Sequence, residues 1–233
     1  MKRLCTICAR GGSKGVPHKN LRPIAGKPLI VHSVRHAVDS GLFDVIAVSS
    51  DSAEILRIAL DAGAHLAIER PAELATDTAN KLDAIRHAML AAESASGERF
   101  DAVVDLCPTA PLRDIADIAA CLAPVETGVA GNVFSVAPAH RSPYFNLVEV
   151  AKDGKVRLSK FGEAAVVRRQ DAPDCYDMNA SIYVWRRDRL AEKPYLFAED
   201  TAIHIMPRER SFDIDSPLDF EIVEMIMKKR LAG

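Results

Sequence analysis

Arg3-Leu4-Cys5-Thr6-Ile7-Cys8, running into Ala9-Arg10-Gly11-Gly12-Ser13-Lys14-Gly15, is the stretch on which the fold turns. The first six residues are a short apolar and β-branched run without helical spacing, which reads as a strand. The strand delivers a basic, glycine-rich loop, and in open α/β sheets ligands sit outside the carboxyl ends of strands. Working outward, Val45 to Ser49, Ala64 to Ile68, Ala102 to Leu106 and Val129 to Val136 are further strand candidates flanked by Gly, Pro, Asp or Ser. Between them, Pro28 to Asp39, Ser52 to Ala62, Ala79 to Ala95 and Ile115 to Leu122 carry apolar residues at helical spacing. Such alternation predicts βαβ units around a parallel sheet. Pro28 suits the first turn of its helix, and Asp51 and Ser52 mark the start of the next.

After Pro138 the segments shorten. Lys152-Asp153-Gly154-Lys155 reads as a hairpin turn, Ser181 to Trp185 and Thr201 to Met206 alternate as strands, and Asp219 to Leu231 closes the chain as an amphipathic helix. The expected architecture is one three-layer α/β domain over residues 1–233 with a mixed, mainly parallel sheet. A β-rich excursion between about Ala139 and Asp177 would cover a site or build a dimer contact.

The chain has 233 residues, 48% of them hydrophobic and 27% charged, enough for a full core in one domain. A formal net charge of −2 excludes the basic surplus that nucleic-acid binding demands. No apolar run approaches the roughly 20 residues of a membrane span, and Met1 leads into a strand without a cleavable signal, so the cytoplasm is the expected compartment. Five cysteines, an odd number thinly spread, predict reduced thiols. Cys5 and Cys8 form a C-x-x-C inside a strand, where they point to opposite faces and suit a core rather than a redox pair.

In the first loop, Gly11, Gly12 and Gly15 would let backbone N–H groups approach phosphate oxygens, while Arg10, Lys14 and Lys19 supply cations for a triphosphate. The pattern is neither a P-loop nor G-x-G-x-x-G; the plain alternative is a surface loop with solvated lysines. Asp213 and Asp215, one residue apart on an extended segment, face the same side and could share a hard cation, or could simply open the last helix. His32 and His36 share a helix face but lack the glutamate of H-E-x-x-H, so no zinc site is expected.

The loop, followed by Pro17-His18-Lys19-Asn20-Leu21 and Ala25-Gly26-Lys27-Pro28-Leu29-Ile30, resembles the opening of the acylneuraminate cytidylyltransferases, the CMP-sialic acid synthetases. Four later stretches are similar to motifs of that family in family order: Arg70 to Ala79; Cys107-Pro108-Thr109-Ala110-Pro111-Leu112-Arg113; Arg168-Arg169-Gln170-Asp171 with Tyr176 to Tyr183; and Ser211-Phe212-Asp213-Ile214-Asp215. The resemblance implies a nucleotide-diphospho-sugar-transferase-like, Rossmann-like fold, a homodimer, CTP and a nine-carbon sugar acid as substrates, and Mg2+ as cofactor.

It also implies roles. Arg10 and Lys14 would hold the triphosphate with Lys19 nearby and Asn20 at the ribose or a phosphate. Ala9, Gly11, Gly12 and Ser13 would line the cradle. Arg70 with Asp77, Thr78, Ala79 and Asn80 would recognise cytosine. Arg169, helped by Arg168, would grip the sugar's carboxylate or the transferring phosphate, and Cys107, Thr109, Asn179 and Tyr183 would belong to the pocket. Asp213 and Asp215 would hold magnesium while the anomeric hydroxyl attacks the α-phosphorus and pyrophosphate leaves. Two positions depart from the family: Cys107 stands where many relatives have Gln, and Ala180 where they have Gly. Legionaminate, pseudaminate and other nonulosonates therefore stay open beside N-acetylneuraminate. A CMP-Kdo synthetase, a transferase of another nucleotide, or a non-catalytic nucleotide-sugar binding module are the competing readings.

Overall fold

The computed structural model describes residues 1–13, 15–161, 168–192 and 194–232, with only the backbone of Arg169. β1 (Arg3–Cys8) leads through a small antiparallel pair, β2 (Pro23–Ile24) and β3 (Lys27–Pro28), into α1 (Leu29–Ser40). Then follow β4 (Val45–Ser50), α2 (Ala53–Asp61), β5 (Leu66–Glu69), α3 (Lys81–Ser96), β6 (Ala102–Leu106), α4 (Ile115–Glu126) and β7 (Asn132–Pro138). The hairpin of β8 (Val148–Val150) and β9 (Val156–Leu158) precedes β10 (Tyr176–Arg186), α5 (Arg187–Glu192), β11 (Thr201–Ile205) and α6 (Pro217–Ala232).

Seven strands form one sheet in the order β11-β7-β10-β6-β1-β4-β5. β10 runs antiparallel to β6 and β7, and the other pairs are parallel, so the sheet is mixed and mainly parallel as expected. Period-two alternation divides β1 between two cores. Cys5 and Ile7 pack with Ile30 and Val34 of α1, Ile55 of α2 and Ile118 of α4, whereas Leu4 packs with Ile85 and Met89 of α3 and with Trp185. Cys5 and Cys8 thus serve opposite faces, and burial pushes both thiols up. A third cluster joins Val16, Ile24, Leu29 and Leu112 to Ile214, Phe220 and Val223, fastening the first loop to the acidic segment and α6.

Some element ends move. Pro28 is the N-cap of α1 rather than inside it, with φ −52° and ψ 141°, because its ring suits the extended backbone of β3. α4 continues through Pro124 to Glu126; a proline in the last turn forfeits little, and Thr127 still donates to the Ala123 carbonyl at 3.0 Å. β7 consequently starts at Asn132, and β5 at Leu66. Ser52 caps α2 by accepting from the Ile55 amide, and Gly154, at φ +80°, closes the expected hairpin. β10 is eleven residues long, with its register shifting between Met178 and Tyr183, where Ala180 adopts φ +52°. Among the described residues no helix is long and apolar enough to cross a membrane.

Candidate active site

The carboxyl ends of β1, β5 and β6 open into a cavity of about 280 Å3 bordered by the first loop, the start of α3 and the Cys107–Thr109 turn. The loop is braced from several sides. Ala9 is buried and donates its amide to the Ser49 carbonyl at 3.0 Å. The Gly11 amide donates to Asp51 Oδ1 at 2.7 Å, and a Cβ there would lie 3.1 Å from that of Ser52. Gly12 faces open space, and Gly12 and Ser13 line the cavity. At Gly15 a Cβ would fall 2.0 Å from the Asp215 carbonyl oxygen, so only glycine admits this approach. Lys14 lies outside the described residues.

Arg10 and Asn20 line the cavity. Arg10 Nη1 pairs with Asp77 Oδ1 at 2.7 Å, so Asp77 orients the arginine. Asn20 Nδ2 donates to the Arg10 carbonyl at 3.0 Å, and its Oδ1 is buried without a protein partner among the described residues. Lys19 extends to the acidic segment, donating to the Ile214 carbonyl and lying 3.6 Å from Asp215 Oδ1.

Arg70 is buried against β4, donating to Ser49 Oγ at 3.2 Å and to the Ser49 carbonyl at 2.8 Å while lining the cavity. Ala79 and Asn80 also line it. Asn80 caps α3 through the Leu82 amide at 2.9 Å, and Thr78, on the exposed side, faces Thr76 at 3.5 Å. Lys81, absent from the sequence reading, follows. Its ammonium sits 3.3 Å from Asp105, a fully buried carboxylate on β6, and 4.6 Å from the centroid of the Tyr183 ring. Burial alone would pull this ammonium's pKa down, but Cys107, Asp105 and Tyr183 more than offset it and hold the charge. Thr6 donates to the other Asp105 oxygen at 3.0 Å. A fixed cation therefore underlies the cavity floor.

At the end of β6, Cys107 Sγ and Thr109 Oγ1 lie 3.2 Å apart, both lining the cavity. Arg113 makes their turn rigid: it is buried and donates to the Cys107 carbonyl, to Ser33 Oγ at 2.9 Å and to Ser181 Oγ at 3.0 Å. Thr109 accepts the Ile214 amide at 2.9 Å and hydrogen-bonds the Asp213 carboxylate. Ile214 points into the core, so Asp213 and Asp215 fall on the other side of the segment, as their spacing predicts. Burial, chiefly, pushes the Asp213 carboxyl up, and its Oδ1 is buried without a protein partner among the described residues. A hard divalent cation would satisfy that oxygen, with the exposed Asp215 carboxylate and phosphate oxygens completing its shell.

Other expected residues stand apart. Asn179 is spent inside the fold, accepting from Ser135 Oγ at 2.7 Å and donating to Ser211 Oγ at 3.0 Å, which anchors the bulge of β10. Arg168 pairs with Asp171 at 2.8 Å on an exposed turn and does not line the cavity. The side chain of Arg169 lies outside the described residues. Asp77, paired with Arg10, lines the first cavity, and Asn179 lines a neighbouring one beside Asp213.

A family model described as cytidylyltransferase matches residues 4–232. The chain is similar to post-translational flagellin modification protein B of Campylobacter coli, 46% identical over 97% of this chain and 95% of that protein. It is also similar to CMP-N,N'-diacetyllegionaminic acid synthase of Campylobacter jejuni, 44% identical over 96% of this chain and 94% of that protein. The solved structure of CMP:2-keto-3-deoxy-manno-octonic acid synthetase complexed with CTP resembles it with a TM-score of 0.73, over 99% of this chain and 100% of that one. At 18% identity this last likeness is one of fold alone.

Proposed function

We propose that this chain, which belongs to the cytidylyltransferase family, transfers CMP from CTP to the anomeric hydroxyl of a nonulosonic acid and releases pyrophosphate, with an acid of the N,N'-diacetyllegionaminic type the first candidate acceptor. The observation that carries this reading is the cavity's division of labour: cations at Arg10 and Lys19 on one side, the Arg70 and Asn80 pocket on another, and at its edge Thr109, hydrogen-bonded to the Asp213 carboxylate. The 44% identity to the legionaminic acid synthase favours that acceptor class.

In this reading Arg10, oriented by Asp77, and Lys19 hold the triphosphate, while Arg70 and Asn80 face the base. The buried Asn20 Oδ1 accepts from a ribose hydroxyl. Asp213 and Asp215 would hold Mg2+, which when bound neutralises charge building on the phosphates. As the anomeric oxygen bonds to the α-phosphorus, the bond to the bridging oxygen breaks, pyrophosphate leaves and the hydroxyl proton is released. Lys81 adds a fixed positive potential beneath the reacting charges. A CTP-consuming step suits the cytoplasm.

The excursion fits a homodimer contact: Val150, Val156 and Phe161 are 69%, 67% and 74% exposed on or beside the β8–β9 hairpin. Sedimentation is expected to give a two-chain species, and a monomer at micromolar concentration would retire that contact. The test of activity supplies magnesium, each of four nucleoside triphosphates, and a panel of nonulosonic acids with Kdo, reading pyrophosphate. Release with CTP and a nine-carbon acid is the expected result. Release with Kdo alone would move the acceptor to the eight-carbon class, and CTP binding without turnover on any acid would favour a binding module.

A further inference from the structure

Beyond Asp213 lies a second cavity, of about 210 Å3, walled by Ala137, Pro138, Met178, Phe212, Asn179 and Arg208. It is separated from the first by one partition. Thr109 borders the first cavity and Asp213 borders the second, and the two are joined by their side-chain hydrogen bond. A group on each side of that partition would meet at Asp213, which is the arrangement an in-line displacement between two substrates needs.

The charges of the second cavity are unbalanced in a telling way. Asp177 and Asp213 give it two carboxylates, and Arg208 is the cation among its lining residues. Asp177 accepts the His140 amide at 2.9 Å. The Arg208 guanidinium meets His140 Nδ1 at 2.5 Å, its one side-chain partner among the described residues. A guanidinium carries five N–H donors, so most of its donors are unspent while the contact to His140 fixes its direction. Asn179 and Ser211, the neutral polar groups nearby, are engaged with each other.

We propose that Arg208 binds the carboxylate of the acceptor in this second cavity. The inference rests on the transferase reading above. In a nonulosonic acid the carboxylate is attached to the anomeric carbon, so an acceptor that brings its anomeric hydroxyl to the Asp213 partition also brings a negative group beside Asp177 and Asp213. That group needs a cation with a planar fork, and Arg208 supplies one. The apolar walls at Met178 and Phe212 suit the N-acyl and deoxy portions of such a sugar.

The test is steady-state kinetics of R208A and R208K with CTP and acceptor varied separately. For R208A the acceptor KM should rise at least about 10-fold, as expected for loss of a charge-assisted pair, while the CTP KM stays within about twofold. R208K should recover part of the loss, because charge returns without the fork, and H140A should cost about threefold on the same constant. An unchanged acceptor KM in R208A, or an equal rise in both constants, overturns the proposal. Wild-type protein that turns over no nonulosonic acid would instead overturn the transferase reading and this inference with it. Arg208 is exposed, so the melting temperature of R208A should match the wild type.

Discussion

The first loop and the excursion between β7 and β10 are held in different ways. On the nucleotide side, the first loop is tied to distant parts of the chain: Gly11 to Asp51, Lys19 to Ile214, and Val16 and Ile24 to Ile214 and Phe220 in a shared apolar cluster. In the excursion, the β8–β9 hairpin pairs only with itself among the described strands, and Arg168 pairs with a residue three positions away. Local contacts make a segment easier to remodel or open than long-range ones do. The bracing is concentrated on the loop that borders the first cavity, whereas the excursion can change with little disturbance of the core.

The sharpest way to break that contrast is Gly15. In G15A the new methyl would press on the Asp215 backbone and displace the acidic segment from the phosphate loop. Turnover should fall about 100-fold, the scale expected for a misplacement near 1 Å, with sedimentation of the chain unchanged. A changed sedimentation would mean that the two regions are not separately held.

D213N probes the junction. Turnover should fall about 100-fold or more, yet melting in the absence of metal should move upward. Folding raises the Asp213 pKa, chiefly by burial, so at neutral pH its charged form opposes folding, and that penalty shrinks as pH falls toward the raised value. A lower melting temperature in D213N would mean that the carboxylate is stabilising.

Further from the reaction, Asp117 on α4 accepts from Arg210 Nε at 2.9 Å and Nη2 at 2.7 Å, and His204 lies 3.2 Å away. This pair fixes the turn that leads into Asp213. Burial by itself would raise the Asp117 carboxyl, but Arg210, the Asp114 amide and His204 prevail and hold it below the usual range. A depressed carboxyl contributes stability that is present above its unfolded value near pH 4 and is lost as pH falls through the lower folded value. D117N should cost about 2–3 kcal/mol at pH 7, and its deficit relative to wild type should shrink in acid below about pH 4. A deficit independent of pH would assign the role to packing.

The smallest effect belongs to Ala180. Its φ of +52° is a strain that glycine would not bear, and A180G should add about 0.5–1 kcal/mol after the entropy of the unfolded glycine is counted. Chemical denaturation reads this directly.

Much of this layout was legible in the sequence because its signals are periodic or local. Alternation along Arg3–Cys8, the glycine and cation spacing of the first loop, and the Asp213–Asp215 step each dictate geometry within a few residues. What escaped depends on partners far along the chain. Lys81 reads as an ordinary first-turn lysine until Asp105 is placed beneath it, although a carboxylate inside Ala102-Val103-Val104-Asp105-Leu106 was a hint, being the one polar residue of a buried strand. Arg113 could be seen only as the end of a motif, not as the brace of its own turn. Asn179 and Asp77 also bond to neighbours, Ser135 and Arg10, that no local signal pairs with them. Ala180 stands where relatives have Gly, and its backbone angle shows why glycine would relieve strain there.

The position of β10 between β6 and β7 also governs how the protein can be made. Until residues 176–186 leave the ribosome, β6 offers a bare edge and β7, whose sheet partners are β10 and β11, has none to pair with. The nascent chain must carry two sticky apolar strands while residues 139–186 are added, a period in which association with other chains competes with folding. Protein ending before β10 should therefore be found in inclusion bodies or on chaperones rather than as a half-finished enzyme, and slow synthesis across the excursion would prolong the exposure.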